Sequence, residues 1–350
     1  MNILLSCIGR RGYIAEYFRV HLGPNDRIIG TSNSKWTQGF RVCDLGVVLP
    51  DIANSDYVPT LIKLCKEQKV DVILSFFDPD INILSKHLDE FRSIGVLPVI
   101  PSAEVSDICF DKYRTFLFLK EHGFNTPETF KDLEQAISAI DTGKVVFPLM
   151  VKPRYGFASL NVFQARNAKE LDVFFHYAAD MLIQEMLTGQ QYDFEFCTDF
   201  EGRVLSVVPW HKLASRAGEV DQAETCNDNG LIDLGLRLGE ELGQLGHVGP
   251  LDADLFVQDD NVSILEMNPR FGGGYPMSHL AGADFPGLIL KMIRGEPVQP
   301  KIGQFRPGVI MMKEYRIFGG QPLDIWRSIY DMRRPIRPGV NIIPGKDEFE

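Results

Sequence analysis

Residues Asp252 to Arg270 read DADLFVQDDNVSILEMNPR, and this stretch carries most of the information about the fold. Two apolar runs flank a short polar turn, which is the pattern of an antiparallel β-hairpin. Side chains alternate between the two faces of a strand, so Glu266 and Asn268 point the same way. We expect Asp254, near the start of the first strand, to lie beside them.

These three side chains predict a metal site. Carboxylate and amide oxygens suit Mg²⁺, which takes one or two carboxylates and completes its shell with phosphate oxygens and water. We therefore predict that Asp254, Glu266 and Asn268 bind the metal. Arg270, two residues further along the same face, is expected to bind a phosphoryl oxygen or a substrate carboxylate. For any one of these residues alone, a solvated strand-end charge is the competing interpretation.

Two groups upstream are typical of a nucleotide site. Residues Val151 to Ser159 read VKPRYGFAS, where Lys152 ends an apolar strand beside a loop that can close over ATP phosphates. Residues Leu182 to Asp193 read LIQEMLTGQQYD, a strand that breaks at a glycine and exposes backbone groups able to read the edge of adenine. A solvated lysine and an ordinary strand and turn are the respective alternatives.

The first hundred residues alternate short apolar runs with helix-like stretches, which is typical of a parallel sheet with crossover helices. This pattern predicts a Rossmann-like α/β lobe, and the longer strands that follow predict α+β lobes. The predicted boundaries are 1–105 for the Rossmann-like lobe, 106–190 for a small lobe, 191–318 for a large lobe with the metal site, and 319–350 for a C-terminal tail.

Several local predictions accompany this organisation. We expect one helix from Ile81 to Phe91, an end of the strand–helix alternation over Pro101 to Asp111, and a strand from Arg203 to Val208. The turn Gly9 to Gly12 (GRRG) lacks the GxGxxG spacing, so the case for a dinucleotide site is weak. A tight turn with solvated arginines is the plainer interpretation.

Composition bounds the class of protein. A net charge of −11 in 350 residues argues against a broad surface for nucleic acid or anionic membrane, because phosphate neutralisation needs a basic face. The six cysteines are scattered without metal-site spacing, which suits reduced thiols. Charges in residues 1–20 interrupt any signal-peptide core, and no window of about 18 residues is continuously apolar. We expect a cytoplasmic protein with no nucleic-acid or membrane partner.

Four strings occur in a specific order, namely VKPRYG, IQEMLTGQQYDFEF, RAGEV and ILEMNPR, with Lys112 before them. Their order and separations resemble the ATP-grasp superfamily, and most closely the short proteins similar to the synthetase domains of the carbamoyl-phosphate synthase large subunit. The resemblance runs from about Asn2 to Arg294. It implies a pre-ATP-grasp domain at the N-terminus, followed by a two-lobed ATP-grasp fold.

The resemblance also implies roles for particular residues, with ATP and Mg²⁺ as cofactors and Mn²⁺ as an alternative metal. The implied ATP contacts are Lys112, Lys152, Gly156, Ser159, Glu185, Met186, Leu187, and Gln191 or Asp193. The implied metal ligands are again Asp254, Glu266 and Asn268. Lys212 and Arg270 are expected around the transferred phosphoryl group, and Arg216 and Glu219 are expected to face the acceptor.

Three positions depart from the family pattern. The phosphate loop Phe157-Ala158-Ser159 is poorer in glycine than usual. Gln191 and Tyr192 follow Gly189 where a ribose-binding glutamate is common, which leaves Gln191 or Asp193 for that role. Asp254 stands where relatives carry Glu or Gln.

The function implied by the resemblance is ATP-dependent ligation of a small carboxylate to an amine through an acyl phosphate, with release of ADP and phosphate. Full carbamoyl-phosphate synthesis is disfavoured because 350 residues hold one synthetase half at most. The alternatives are a nucleotide-binding module without turnover and an NAD(P)-dependent enzyme. A homodimer is compatible with the family. Arg10, Arg11 and Asp78 are further candidates for the substrate pocket, and His211 for the active site.

Overall fold

The computed structural model describes residues 1–156, 160–216, 218–314 and 341–343, and its first unit is a parallel sheet. The sheet runs β3-β2-β1-β4-β5, and β16 (Asn341–Ile343) pairs with β3 at one edge. Its strands are β1 (Asn2–Ser6), β2 (Arg27–Ser32), β3 (Leu45–Val48), β4 (Val72–Ser75) and β5 (Leu97–Pro98). The α-helices that accompany it are α1 (Gly12–Arg19), α2 (Tyr57–Glu67), α3 (Asp78–Leu84) and α4 (Leu88–Ser93).

A second unit is built on a small antiparallel sheet. The strand order is β6-β9-β7-β8, with β7 and β9 at its centre. Its elements, with the two helices that lead into it, are α5 (Ala103–Phe110), α6 (Lys112–Glu121), β6 (Thr129–Phe130), α7 (Leu133–Asp141), β7 (Leu149–Pro153), β8 (Phe163–Ala165), α8 (Ala168–Phe175) and β9 (Met181–Glu185).

The third unit is a longer antiparallel sheet covered on one face by a helix. The strand order is β14-β13-β10-β11-β12-β15. Its elements are β10 (Gln190–Thr198), β11 (Val204–Arg216), β12 (Glu219–Thr225), α9 (Asn229–Gln244), β13 (Gly249–Gln258), β14 (Asn261–Asn268), α10 (Tyr275–Leu280), α11 (Phe285–Ile293) and β15 (Ile310–Met312).

One hydrophobic cluster joins the parallel sheet to the large antiparallel unit. Phe18 of α1 meets Phe271 edge to face, with ring centroids 6.1 Å apart, and Phe271 in turn contacts Tyr275 at 4.7 Å. These rings are buried together with strand residues of β1 and β4. Because a buried aromatic contact removes a large apolar area from water, this cluster holds the two units in a defined relation at the site described below.

The predicted fold class is confirmed, and several local predictions are wrong. The helix expected over Ile81 to Phe91 is divided into α3, a turn of 3₁₀ helix and α4. The segment Pro101 to Asp111 contains the helix α5, capped by the Ser102 hydroxyl, which accepts from the Val105 backbone N–H. The strand expected over Arg203 to Val208 extends to Arg216, because its far half pairs with β12, for which no strand was predicted.

Two further findings concern the ends and the surface. The predicted tail, 319–350, lies outside the described residues except for the strand at 341–343. Across the described part of the chain, every helix is too short or too polar to cross a membrane.

We predict that Gly243→Ala destabilises the protein. A Cβ at this position of α9 would lie 2.1 Å from the backbone oxygen of Gly202, in the turn between β10 and β11, where Gly202 has a φ of +79°. The steric cost of about 1–3 kcal/mol should exceed the gain in helix propensity of about 1 kcal/mol. Thermal unfolding should show a lower melting temperature.

The matched control is Glu240→Ala, on the exposed face of the same helix. Its melting temperature should stay close to that of the wild type. Equal melting temperatures for Gly243→Ala and the wild type would contradict the close backbone contact.

Candidate nucleotide and metal site

A cavity of about 690 Å³ lies between the small and the large antiparallel sheets. Both sheets contribute to its walls, and the parallel-sheet unit contributes Asp78. Most of the site residues predicted from the sequence line it, although they are widely separated along the chain. They are Lys112, Lys152, Gly156, Glu185, Met186, Leu187, Gln191, Lys212, Asp254, Glu266, Asn268 and Arg270.

The hairpin of β13 and β14 brings the predicted metal ligands together. Asp254 is the cross-strand partner of Glu266, and Asp252 is the partner of Asn268. The amide nitrogen Nδ2 of Asn268 donates to Oδ2 of Asp254 at 3.3 Å. A register shift follows directly after Asp254, so the strand is irregular at the site. Oxygen donors from two adjacent strands therefore face one cavity.

Glu266 is held by two lysines from the small unit. Its Oε1 lies 3.3 Å from the ammonium nitrogen of Lys152 and 3.4 Å from that of Lys112. Burial raises the pKa of Glu266, but the two lysines outweigh burial and lower this pKa to about 2. For Lys152 the balance is the reverse, because burial outweighs the Glu266 charge and lowers the pKa of the ammonium group. Both ammonium groups lie at the cavity wall, where phosphate oxygens would compete with Glu266 for them.

Lys212 of β11 faces two carboxylates, one on the adjacent strand β10 and one on β13 beyond it. Its ammonium nitrogen lies 2.9 Å from Oδ1 of Asp254 and 3.2 Å from Oδ1 of Asp193. Burial lowers the pKa of Lys212, and the two carboxylates more than compensate, so its pKa is raised. Asp193 is only 3% exposed and does not line the cavity. Of the two residues considered for the ribose, the structure therefore brings only Gln191 to the cavity.

Arg270 links the large unit to the parallel-sheet unit. Its Nη1 lies 2.9 Å from Oδ2 of Asp252, and its Nε lies 3.4 Å from Oδ2 of Asp78, at the start of α3. Two carboxylates on opposite sides fix the plane of the guanidinium. This pair of acids raises the pKa of Arg270 against the effect of burial. Asp252 is a residue that the sequence interpretation missed.

Glu195 is a second missed residue, directly behind Asp252. It is the cross-strand partner of Asp252 and is 1% exposed. The Ser278 hydroxyl donates to its Oε2 at 2.5 Å. Burial, followed by the nearby Asp252 charge, raises the pKa of Glu195 to about 8. The sequence did carry a signal for Glu195, because it stands between Phe194 and Phe196 in a predicted strand. A charge in such an apolar strand is costly unless it has a partner.

Other predicted residues lie elsewhere. Arg216 ends β11, where it pairs with Asp221 at 3.3 Å, and it does not line the cavity. His211 stacks on Tyr192, with ring centroids 4.7 Å apart, and is also outside the cavity lining. His211 directly precedes Lys212 in β11, so its side chain lies on the other face of the sheet. Arg216 follows the register shifts after Lys212, so the regular alternation from Lys212 does not extend to it. Ser159 lies outside the described residues.

The predicted metal ligands fit an open magnesium site. Within the residues that the structure covers, no group of three or more His, Cys, Asp or Glu side chains is arranged to hold a metal on its own. Two carboxylates and one amide on the hairpin leave coordination positions for phosphate oxygens and water, which is the usual situation for Mg²⁺. A nucleotide would therefore complete the site.

Comparisons with known proteins agree with this geometry. Residues 109–274 match the ATP-grasp domain family, and residues 3–100 match the family described as PylC-like, N-terminal domain. The D-alanine–D-alanine ligase of Helicobacter pylori is 26% identical over 222 residues, which are 58% of this chain and 62% of that enzyme. The aligned part thus spans less than two thirds of the Helicobacter enzyme. The phosphoribosylamine–glycine ligase of Lactococcus lactis is 23% identical over 298 residues, 77% of this chain and 68% of that enzyme.

Solved structures share the fold. The biotin carboxylase domain of Hydrogenobacter thermophilus 2-oxoglutarate carboxylase, described as a dimer with MgADP, ADP and bicarbonate, matches with a TM-score of 0.72 and 15% identity. The match covers 88% of this chain and 73% of that one. An L-amino acid ligase from Bacillus licheniformis matches with a TM-score of 0.64 and 19% identity, covering 87% and 77%.

Fold and site together define an ATP-grasp architecture. The chain belongs to the ATP-grasp superfamily, with a PylC-like N-terminal domain ahead of its ATP-grasp domain. The predicted superfamily is confirmed. The predicted cofactor pair, ATP and Mg²⁺, agrees with the MgADP described for the Hydrogenobacter domain.

We predict that Glu195→Gln changes how stability depends on pH. A folded-state pKa of about 8 against an ordinary value of 4.5 means that Glu195 favours folding below pH 4.5. That contribution is lost as pH rises toward 8, because the unfolded chain ionises first. The melting temperature of the variant, relative to the wild type, should therefore rise by more than about 2 °C between pH 5 and pH 8.5.

Glu240→Gln, an exposed substitution on α9, serves as the control and should track the wild type at both pH values. A difference between Glu195→Gln and the wild type that stays constant across this range would show that Glu195 has an ordinary pKa.

Proposed function

We propose that this chain is an ATP-dependent carboxylate–amine ligase that activates a carboxylate as an acyl phosphate and releases ADP and phosphate. The observation that carries the proposal is the convergence of Lys112, Lys152 and Glu266 with Lys212 and Arg270 in one cavity between two sheets. Phosphoryl transfer depends mainly on positioning and on charge stabilisation, and this cavity supplies both. The names of the D-alanine–D-alanine, phosphoribosylamine–glycine and L-amino acid ligases support the same reaction class.

The nucleotide would enter along the end of β9. Glu185, Met186 and Leu187 line the cavity where that strand ends. The Glu185 carboxylate accepts a hydrogen bond from the Glu128 backbone N–H at 3.2 Å. This bond fixes the end of β9 relative to β6, which begins at Thr129. Free backbone groups beside apolar side chains can read the adenine edge, and Gln191 is within the same cavity for the ribose. The phosphates would then reach the lysines.

The phosphate end would be held by the chain's own charges. Asp254, Glu266 and Asn268 would hold Mg²⁺, or Mn²⁺ in its place, and when bound the metal offsets negative charge on phosphate oxygens. Lys152 and Lys112 are already fixed at Glu266, so they need little rearrangement to contact phosphate. Lys212 pairs with Asp254, the first of the three proposed metal ligands. Preorganised cations of this kind stabilise charge that develops during the reaction.

Arg270 would orient the carboxylate that attacks. Its guanidinium is pinned between Asp78 and Asp252, so its direction is set before any substrate arrives. An enzyme nucleophile is not required for this reaction. Cys109 is the cysteine that lines the cavity, and burial raises its pKa, so it stays a thiol at neutral pH.

Partners and location follow from the same proposal. The substrates would be a small carboxylate and an amine. We also propose a homodimer, supported by the dimer described for the Hydrogenobacter domain. A cytoplasmic location is supported by the six cysteines, all of which are free, since reducing compartments keep thiols unpaired.

We predict that ADP and phosphate appear only when ATP, Mg²⁺, a carboxylate and an amine are all present. Lys152→Met should lower kcat by about 100-fold or more, because it removes a fixed cation from the phosphate end. Product analysis by anion-exchange chromatography, over a panel of amino acids and small acids, measures both quantities.

Lys169→Met is the matched control, since Lys169 is exposed on α8 of the same small unit. It should keep wild-type kcat. Release of AMP and pyrophosphate would contradict the acyl-phosphate route, and ATP binding with no substrate-dependent release would favour a nucleotide-binding module without turnover.

A further inference from the structure

A larger cavity, of about 1230 Å³, adjoins the parallel sheet. Its lining includes residues that follow β1, β2 and β4, such as Arg11, Asn33 and Phe76. In the sheet order, β2 and β3 lie on one side of β1 and β4 and β5 on the other, so the chain crosses over β1 between β3 and β4 and then adds strands in the opposite direction. Ligands of open parallel sheets bind at the carboxyl ends of strands at such a point. The large unit forms the other wall, with Gly273 and Lys313 among its residues.

Arg11 stands where this cavity meets the nucleotide site. Its Nη1 donates to the backbone carbonyl of Phe271, and Nη1 of Arg270 donates to the same oxygen at 3.2 Å. The two guanidinium groups thus meet at one carbonyl. Arg270 is balanced by Asp78 and Asp252. In the described ranges, no carboxylate oxygen lies within 4.0 Å of the Arg11 guanidinium.

Lys313 is a second cation in the same situation. It lines the cavity, and its ammonium nitrogen lies 3.7 Å from where a Cβ on Gly273 would be, two residues after Phe271. Among residues that the structure describes, it too has no carboxylate oxygen within 4.0 Å. Burial lowers the pKa of Lys313, and although the Glu219 charge raises it and Arg11 lowers it further, the pKa stays lowered. Burial also lowers the pKa of Arg11, with Arg270 adding to it.

Arg10, in the same loop as Arg11, is exposed and paired with a carboxylate, as is usual for a surface arginine. Its side chain is 67% exposed, and its Nη2 pairs with Oε1 of Glu219 at 3.3 Å. Arg11 and Lys313 are instead partly buried, and no carboxylate oxygen of the described residues lies within 4.0 Å of either charge. Burying an unbalanced charge is costly, and the chain as a whole carries a net charge of −11. The two cations therefore have room for an additional anion, beyond the carboxylates of Asp51, Glu219 and Glu314 that also line the cavity.

Part of the wall beside the cations is aromatic. Tyr13, Tyr17 and Phe76 line it. Tyr17 stacks on His279 with ring centroids 3.9 Å apart, and it meets Tyr275 edge to face at 6.1 Å, so its position is set by packing. A fixed aromatic wall accepts an apolar body, whereas the cations accept an anionic head. The volume is ample for a ligand of amino-acid to dipeptide size.

We infer that this cavity binds a carboxylic acid with a bulky apolar body, of which an amino acid with a large apolar side chain is the simplest case, and that Arg11 and Lys313 hold its carboxylate. The inference rests on the proposed function, because Arg11 of this cavity and Arg270 of the nucleotide site share the Phe271 carbonyl, and the bound acid would be one of the ligation substrates. Arg11 offers a planar fork that matches a carboxylate, and Lys313 adds a point charge.

The test compares acids with their amides on the full chain in the presence of MgADP. The probes are the twenty common amino acids and their C-terminal amides, with calorimetric titration after a thermal-shift screen. At least one amino acid with a large apolar side chain should bind, and its amide should not. Arg11→Gln should weaken that binding by about 10- to 100-fold, as expected for loss of a charge-assisted hydrogen bond.

Arg92→Gln is the matched control, since it removes the same charge from an exposed position on α4 that does not line the cavity, and it should change the affinity less than about threefold. Lys313→Gln provides an independent variant if Arg11→Gln does not fold, and it should also weaken binding of the acid. Amides that bind as well as acids, unchanged affinity in both variants, or no binding by any amino acid would each overturn the inference.

Nucleotide binding separates this inference from the proposed function. Wild type, Arg11→Gln and Lys313→Gln should bind MgADP equally. If MgADP binds and no amino acid does, the inference on the cavity is wrong while the ligase proposal stands. If MgADP does not bind to the wild type, the ligase proposal itself is wrong.

Discussion

The candidate site depends on the ion pairs that the Glu266 carboxylate makes with Lys112 and Lys152. Glu266 belongs to β14 of the large sheet, yet the two ammonium groups that hold it come from α6 and from β7 of the small sheet. Charges taken from water are stabilising only where they are paired, so this cluster favours one relative position of the two sheets. The cavity between them exists because that position leaves space beside β9 and β13.

Arg270 has a similar linking role toward the parallel sheet. It reaches Asp78 on one side and Asp252 on the other, and it shares the Phe271 carbonyl with Arg11. The ring of Phe271 packs against Phe18 and Tyr275, and this packing restricts the position of its backbone carbonyl. One short segment after β14 therefore connects the nucleotide cavity to the cavity at the parallel sheet. A carboxylate substrate and a nucleotide would meet there.

The geometry of the β13–β14 hairpin was predictable because the information for it is local in the sequence. Alternation along β14 and a polar turn are enough to place Glu266 and Asn268 on one face beside Asp254. The same holds for Lys152, which ends an apolar strand. Asp252 and Glu195 were not predictable in this way, because their importance arises from a cross-strand pairing between β10 and β13. Likewise, the length of β11 depends on its partner β12, and the pattern of β11 itself loses its apolar character after Trp210.

The central claim is that Glu266 forms part of a site that binds the nucleotide together with Mg²⁺. The most direct measurement is a calorimetric titration of ADP into the wild type and into Glu266→Gln, each with Mg²⁺ and with EDTA. We expect Mg²⁺ to tighten ADP binding to the wild type and to have little effect in Glu266→Gln, which keeps the shape of the side chain and loses its charge. The same dependence on Mg²⁺ in both proteins, or no ADP binding by the wild type, would contradict the account.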